Sequence, residues 1–337
     1  MLSPQAAAAK IVVTNWVHDD VLELLRPHGA VVANPTRTPW PRDVVLGHAA
    51  KADAVLAFMT DHIDGPFLAA CPRLRIAACA LKGFDNFDVG ACTARGVWVT
   101  ISPDLLTAPT AELAVGLAIA LGRRLLEGDD HVRTGDFQGW RAQLYGAGLD
   151  GSTVGIAGMG QVGQAIARRL LGFGPRLLYA DPRASDDAQK LGAVRVDWDA
   201  LLQQSDVLIL AVPLTADSFH KIDAAALARM KPTCRLVNAG RGSVVDEQAV
   251  AAALAADRLG GYAADVFELE DWARADRPTG VPAALRAERA RTVFTPHLGS
   301  AVDGVRRAIA RAAALDIVAV LEGRAPPNAI NRPVATV

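Results

Sequence analysis

At 337 residues the chain is long enough for two domains, each able to bury a core of its own. A hydrophobic share of 51% against 21% charged is that of a globular chain, and a net charge of −1 gives no hint of a surface for nucleic acid or a membrane. The four cysteines, Cys71, Cys79, Cys92 and Cys234, show neither C-x-x-C spacing nor a His/Cys metal pattern, so buried reduced thiols, a cytoplasmic setting and no metal are expected.

Residues 1–10 have no basic stretch followed by an apolar core and do not read as a signal peptide. Over residues 10–100, short β-branched or apolar runs at 11–14, 54–57, 74–77 and 97–100 alternate with amphipathic stretches, which predicts an α/β domain on a parallel sheet. A helical pattern follows at 110–126, introduced by Pro109 and carrying Glu112 in its first turn. Its apolar run at 113–121 is too short to span a bilayer. Residues 135–151 hold aromatics and glycines without periodicity and read as an extended arm, whose exposed rings a homodimer would cover.

A second α/β series opens with Gly155-Ile156-Ala157-Gly158-Met159-Gly160-Gln161-Val162-Gly163. Residues 153–157 read as a buried strand, 161–171 as a helix and 177–180 as the next strand, a complete βαβ unit ending at Asp181. In such a unit Gly158 permits a tight turn, Gly160 lets a pyrophosphate approach the helix start, and Gly163 lets helix and strand pack closely. A dinucleotide site follows, with Gln161 and Val162 at the helix start, Asp181 on the adenine ribose, Pro182 beside it, and Asp265 further along. The Asp181 carboxylate repels a ribose 2′-phosphate and favours NAD, while Arg183 offsets part of that repulsion, so NADP is expected as the weaker cofactor.

Further strands are predicted at 206–211, 234–237, 261–264 and 292–294, and a helix at 302–321 is too long and too late for the dinucleotide sheet, so it crosses back to the N-terminal domain. The expected division is 1–101 plus 298–337 as substrate domain and 102–297 as dinucleotide domain, both of Rossmann or flavodoxin-like type with parallel sheets. Arg241, Glu270 and His297 each follow one of these strands, on the edge where ligands bind. An arginine fork suits an oxyanion, and a histidine oriented by a carboxylate suits proton transfer near neutral pH.

The order of the glycine fingerprint, Asn-x-x-Arg-Gly at 238–242, Asp-Val-Phe-x-x-Glu at 265–270 and Thr-Pro-His-x-Gly at 295–299 resembles the D-2-hydroxyacid dehydrogenase family over nearly the whole chain. The resemblance implies Arg241 as substrate clamp, His297 as acid/base, Glu270 as its partner, and a homodimer formed through the helix and arm at about 110–150. The strings at 57–59, 80–89 and 261–278 are similar to the phosphite (phosphonate) dehydrogenases, an NAD-dependent branch of that family. This similarity implies oxidation of phosphite to phosphate, with water as nucleophile and NAD as hydride acceptor. Where the hydroxyacid enzymes have a small-residue loop, Lys82 stands within 81–84, and a dianion calls for the two cations Lys82 and Arg241.

By the same resemblance Met59, Leu81 and Gly83 line the substrate site, Trp140 and Tyr145 reach it from the arm, and Ser300 lies beside the ligand. Met59 equally fits a core residue, and Ser300 equally fits the N-cap of the last helix. Two other functions stay open: oxidation of a D-2-hydroxy acid or reduction of a 2-keto acid by the same His297, Glu270 and Arg241, and a dinucleotide-sensing corepressor-like protein.

Overall fold

Short apolar runs build two all-parallel sheets, and a computed structural model describes them over residues 9–102 and 104–333. Residues 1–8, Pro103 and 334–337, which include most of the N-terminal stretch and both ends of the expected substrate domain, lie outside the described residues. The chain divides into two compact units. One takes the chain up to Leu106, the segment Trp272–Ala275, and the chain from Val302 on; the other takes Thr107–Asp271 and Asp276–Ala301. The boundaries thus fall a few residues later than 101/102 and 297/298, because the Thr107–Gly122 helix begins the second unit and the Asp303–Leu321 helix belongs to the first.

In the first unit β1 (Ala9–Val13), β2 (Gly29–Ala33), β3 (Ala54–Ala57), β4 (Ile76–Cys79) and β5 (Trp98–Thr100) stand in the order β2-β1-β3-β4-β5. Both faces are covered, so β3 and β4 are buried at every residue and read as continuous apolar runs rather than alternating ones. One face, with Val12, Val55 and Ala77, packs on Phe67, Leu68 and Cys92. The other, with Ile11, Leu56 and Ile76, is covered by Ile309, Ala313 and Ile317 of the Asp303–Leu321 helix. Each fully buried Ile or Leu contributes roughly 2 kcal/mol. Ala57 pairs with Cys79 at the carboxyl ends of β3 and β4, so the chain leaves both strands side by side.

The second unit holds β6 (Thr153–Ala157), β7 (Arg176–Ala180), β8 (Val194–Arg195), β9 (Val207–Leu210), β10 (Arg235–Asn238), β11 (Gly261–Ala264) and β12 (Thr292–Phe294). Their order is β12-β11-β10-β9-β6-β7-β8. The chain builds outward from β6 to β8, then returns to β9 on the other side of β6 and builds outward again. The reversal between β6 and β9 is the place where open α/β sheets hold ligands.

The expected helix at 110–126 is two helices, Thr107–Gly122 and Leu125–Arg133, separated by Arg124 with φ +52°. Strands β2 and β8 were not anticipated. All four cysteines are free and buried, and burial pushes the Cys71 thiol up to about 11 and those of Cys92 and Cys234 up to about 12. Among the described residues no helix is long and apolar enough to cross a membrane, and no group of three or more His, Cys, Asp or Glu could hold a metal ion.

Candidate active site

The turn after β6 shows why its glycines are glycines. Gly158 has φ +88°, and a Cβ there would lie 2.7 Å from the Ala211 carbonyl oxygen. A Cβ on Gly163 would lie 2.1 Å from the Gly158 oxygen, so the Gln161–Leu170 helix rests directly on the turn. Gly160 is the N-cap, where no side chain caps the helix and a Cβ would meet open space. Backbone amides at a helix start with room before them form a cradle for a pyrophosphate. Asp181, just past β7, accepts the Met159 N–H at 2.9 Å and the Arg183 N–H at 2.9 Å, which fixes its carboxylate beside that cradle. Arg195, which the sequence did not single out, donates to the carbonyls of Asp181 and Pro182 at 3.0 and 2.8 Å. These residues fit a dinucleotide.

On the opposite arm of the same sheet, Arg241, Glu270 and His297 follow the neighbouring strands β10, β11 and β12. Asn238, fully buried at the end of β10, donates from Nδ2 to the Arg241 carbonyl at 2.9 Å and accepts the Gly240 N–H at 3.1 Å, shaping the loop that carries the guanidinium. Glu270 accepts the Phe267 N–H at 2.8 Å through Oε1 and meets His297 Nδ1 at 2.6 Å through Oε2. With Nδ1 held by a carboxylate, Nε2 is the ring nitrogen left for proton transfer. Both side chains are about a quarter exposed, at 24% for His297 and 26% for Glu270, so a ligand can reach them.

His297 itself sits at φ +56°, the left-handed region. Its N–H donates to the Asp265 carbonyl at 2.8 Å, and the Asp265 carboxylate accepts from Thr295 Oγ1, Leu298 N–H and Gly299 N–H at 2.6, 2.6 and 2.8 Å. Asp265, expected among the cofactor contacts, is thus seen holding the His297 loop. Burial raises its carboxyl above the ordinary value, against the opposing pull of those three donors.

In the first unit, Met59 follows β3, and Leu81, Lys82 and Gly83 follow β4. Met59 is partly buried against the core, and its carbonyl accepts from Asn86 Nδ2 at 3.3 Å. Leu81 is buried, and its carbonyl accepts the Ser102 N–H at 2.8 Å. Lys82 is half-buried, with Nζ 3.6 Å from Asp104 Oδ1. Asp61 steadies the turn before them by accepting the Phe58 N–H at 2.7 Å and the Thr14 hydroxyl, and burial pushes its carboxyl up to about 6. Arg306, a cation that sequence reasoning passed over, is held between the Phe58 ring, 5.8 Å from its centroid, and the Ala80 carbonyl at 3.3 Å, and burial lowers its pKa.

Trp140 and Tyr145 are 84% and 73% exposed on a stretch, 134–152, without helix or strand. Ser300 is buried, and the residue capping the Asp303–Leu321 helix is Val302.

Residues 115–299 match the family model for the D-isomer specific 2-hydroxyacid dehydrogenase, NAD binding domain. A glyoxylate reductase of Thermococcus gammatolerans is 36% identical, with 97% of each chain covered. Among solved structures, the TT0316 protein of Thermus thermophilus superposes with a TM-score of 0.86 at 32% identity, covering 96% of this chain and 100% of that one. A D-lactate dehydrogenase of Aquifex aeolicus, complexed with NAD and lactic acid, superposes with a TM-score of 0.84 at 25% identity over the same shares of the two chains.

Proposed function

The chain belongs to the D-isomer specific 2-hydroxyacid dehydrogenase family, and from that membership we propose that it transfers hydride between NAD and a small oxyanionic substrate. The observation that carries the proposal is the 2.6 Å bond between His297 Nδ1 and Glu270 Oε2 at the ligand-binding edge of an NAD-binding sheet. Gly158, Gly160, Gln161, Val162 and Gly163 hold the pyrophosphate, and Asp181 with Pro182 the adenosine end. NAD, when bound, supplies the carbon that accepts or donates hydride.

Arg241 takes the substrate oxyanion through its planar fork. Glu270 keeps the proton on His297 Nδ1, so Nε2 accepts a proton from the reacting oxygen in oxidation and returns it in reduction. Asp265 holds the loop that aims the ring.

Two substrates fit this arrangement. The names of the relatives favour reduction of a 2-keto acid such as glyoxylate, the transformation for which His297 and Arg241 suffice. The resemblance of 80–89 to the phosphite enzymes favours the other, phosphite: a dianion is best met by two cations, the role that the resemblance gives to Lys82 beside Arg241, with His297 taking a proton from the attacking water. The same resemblance gives Met59, Leu81, Gly83 and Ser300 as further substrate contacts.

Absorbance at the NADH band decides between them when the purified protein is given NADH with glyoxylate, NAD with D-lactate or D-glycerate, and NAD or NADP with phosphite. Turnover of the organic acids alone rejects the phosphite reading. If phosphite is oxidised, Lys82→Ala raises its KM by about tenfold or more; an unchanged KM rejects the two-cation reading.

A further inference from the structure

Behind the loops that carry Arg241 and Glu270 lies a buried polar group that the proposed chemistry does not use. Glu247, first residue of the Glu247–Ala255 helix, is 1% exposed, and Glu268, just past β11, is 7% exposed. They exchange backbone bonds. The Glu247 N–H donates to Glu268 Oε1 at 3.1 Å, and the Glu268 N–H donates to Glu247 Oε1 at 2.8 Å. Glu268 Oε2 stands 2.9 Å from His220 Nε2, and the His220 ring stacks on Phe219 at 4.0 Å.

The same two loops are tied twice more. Ser243 Oγ donates to Asp271 Oδ2 at 2.9 Å. Gly242 brings the backbones together so closely that a Cβ would lie 1.9 Å from the Phe267 carbonyl carbon. The His220 and Ile222 N–H groups donate to the Ser243 and Val244 carbonyls at 2.8 and 3.0 Å. Residues 242–247 and 267–271 are therefore tied into one body, with Arg241 immediately before the first segment and Glu270 inside the second.

We infer that Glu247 and Glu268 are positioning residues, whose reciprocal bonds hold the Arg241 fork and the Glu270 carboxylate in a single register. The inference rests on the roles proposed above for Arg241, Glu270 and His297. Two buried carboxyls side by side repel each other unless one is neutral or a neighbouring group offsets their charge. His220 faces Glu268, while Glu268, Glu270, Asp246 and Tyr262 face Glu247. Among the described residues Glu247 Oε2 has no hydrogen-bond partner, and burial pushes this carboxyl up to about 7, so below neutral pH it holds a proton and the pair is relieved of its repulsion there. Register matters because a displacement of an ångström between substrate and proton acceptor is enough to slow the reaction severely.

The test uses the full chain and whichever of glyoxylate or phosphite the absorbance assay turns over. For Glu268→Ala and Glu247→Ala, kcat falls and the oxyanion KM rises, each by about tenfold or more. The Kd for NADH, read from fluorescence, stays within about twofold because the fingerprint turn is a separate element. Glu247→Gln keeps the Oε1 acceptor without a charge and restores kcat/KM to within about threefold of the unaltered chain. The inference is overturned if both Ala variants keep kcat and KM. It is equally overturned if kcat falls only in proportion to the folded fraction seen by near-ultraviolet circular dichroism, with KM unmoved. His297→Ala measured alongside separates the two levels: retained turnover there rejects the reading of the site, whereas its loss together with full activity in the Glu variants rejects the clamp alone.

Discussion

His297 holds a left-handed backbone that a side-chain-bearing residue adopts at a cost of roughly 1 kcal/mol. Such conformations persist where surrounding bonds over-determine them, and here the Asp265 carbonyl and carboxylate do so. The strain aims the ring, whose Nδ1 is then claimed by Glu270. Removing the ring removes proton transfer but leaves the fingerprint turn intact. His297→Ala should therefore lower kcat by about 10²- to 10⁴-fold while NADH binding is kept, as stopped turnover with undiminished NADH fluorescence quenching would show. A variant with near-normal kcat would take the acid/base role away from this residue.

At the level of elements, the junction between the β10 and β11 loops makes stability depend on pH. The Glu247 carboxyl moves from 4.5 to about 7 on folding, so between those values the folded chain binds more protons than the unfolded one. Its contribution is fully present below the unfolded value and is lost as pH rises through about 7. The Tm of Glu247→Gln, which has no proton to lose, should thus gain on that of the unaltered chain between about pH 5 and pH 8 in scanning calorimetry. A gap that stays constant across that range would show Glu247 to be ionised throughout.

Much at this scale was legible in the chain. The fingerprint unit, β3, β11 and β12 announce themselves through local runs, and Arg241, Glu270 and His297 through motifs at strand ends. What escaped depends on distant partners. The helix break near Arg124 goes with the Gly122 carbonyl accepting the Ala147 N–H, a contact that no helical period encodes. Strands β2 and β8 are edges of five and two residues with weak patterning. Asn238, Arg306 and the Glu247–Glu268 exchange bring together residues from separate elements, so their meaning appears only in the folded chain.

For the whole molecule, the run of exposed apolar side chains Leu125, Leu126, Val132, Phe137, Trp140 and Tyr145 asks for a covering surface. We propose that a second copy of this chain covers it in a two-fold homodimer. Sedimentation should give twice the chain mass, and Trp140→Ser combined with Tyr145→Ser should shift the equilibrium toward monomer; a monomer at micromolar concentration would exclude the arrangement. The first sheet has its own covering arrangement. Its strands end at Thr100, but the helix that shields Ile11, Leu56 and Ile76 begins at Asp303. On a translating ribosome adding about 5–20 residues per second, that face waits roughly 10–40 s for its cover. During this interval the uncovered face should make the nascent chain a client for chaperones, and yield in a foreign host should follow their supply.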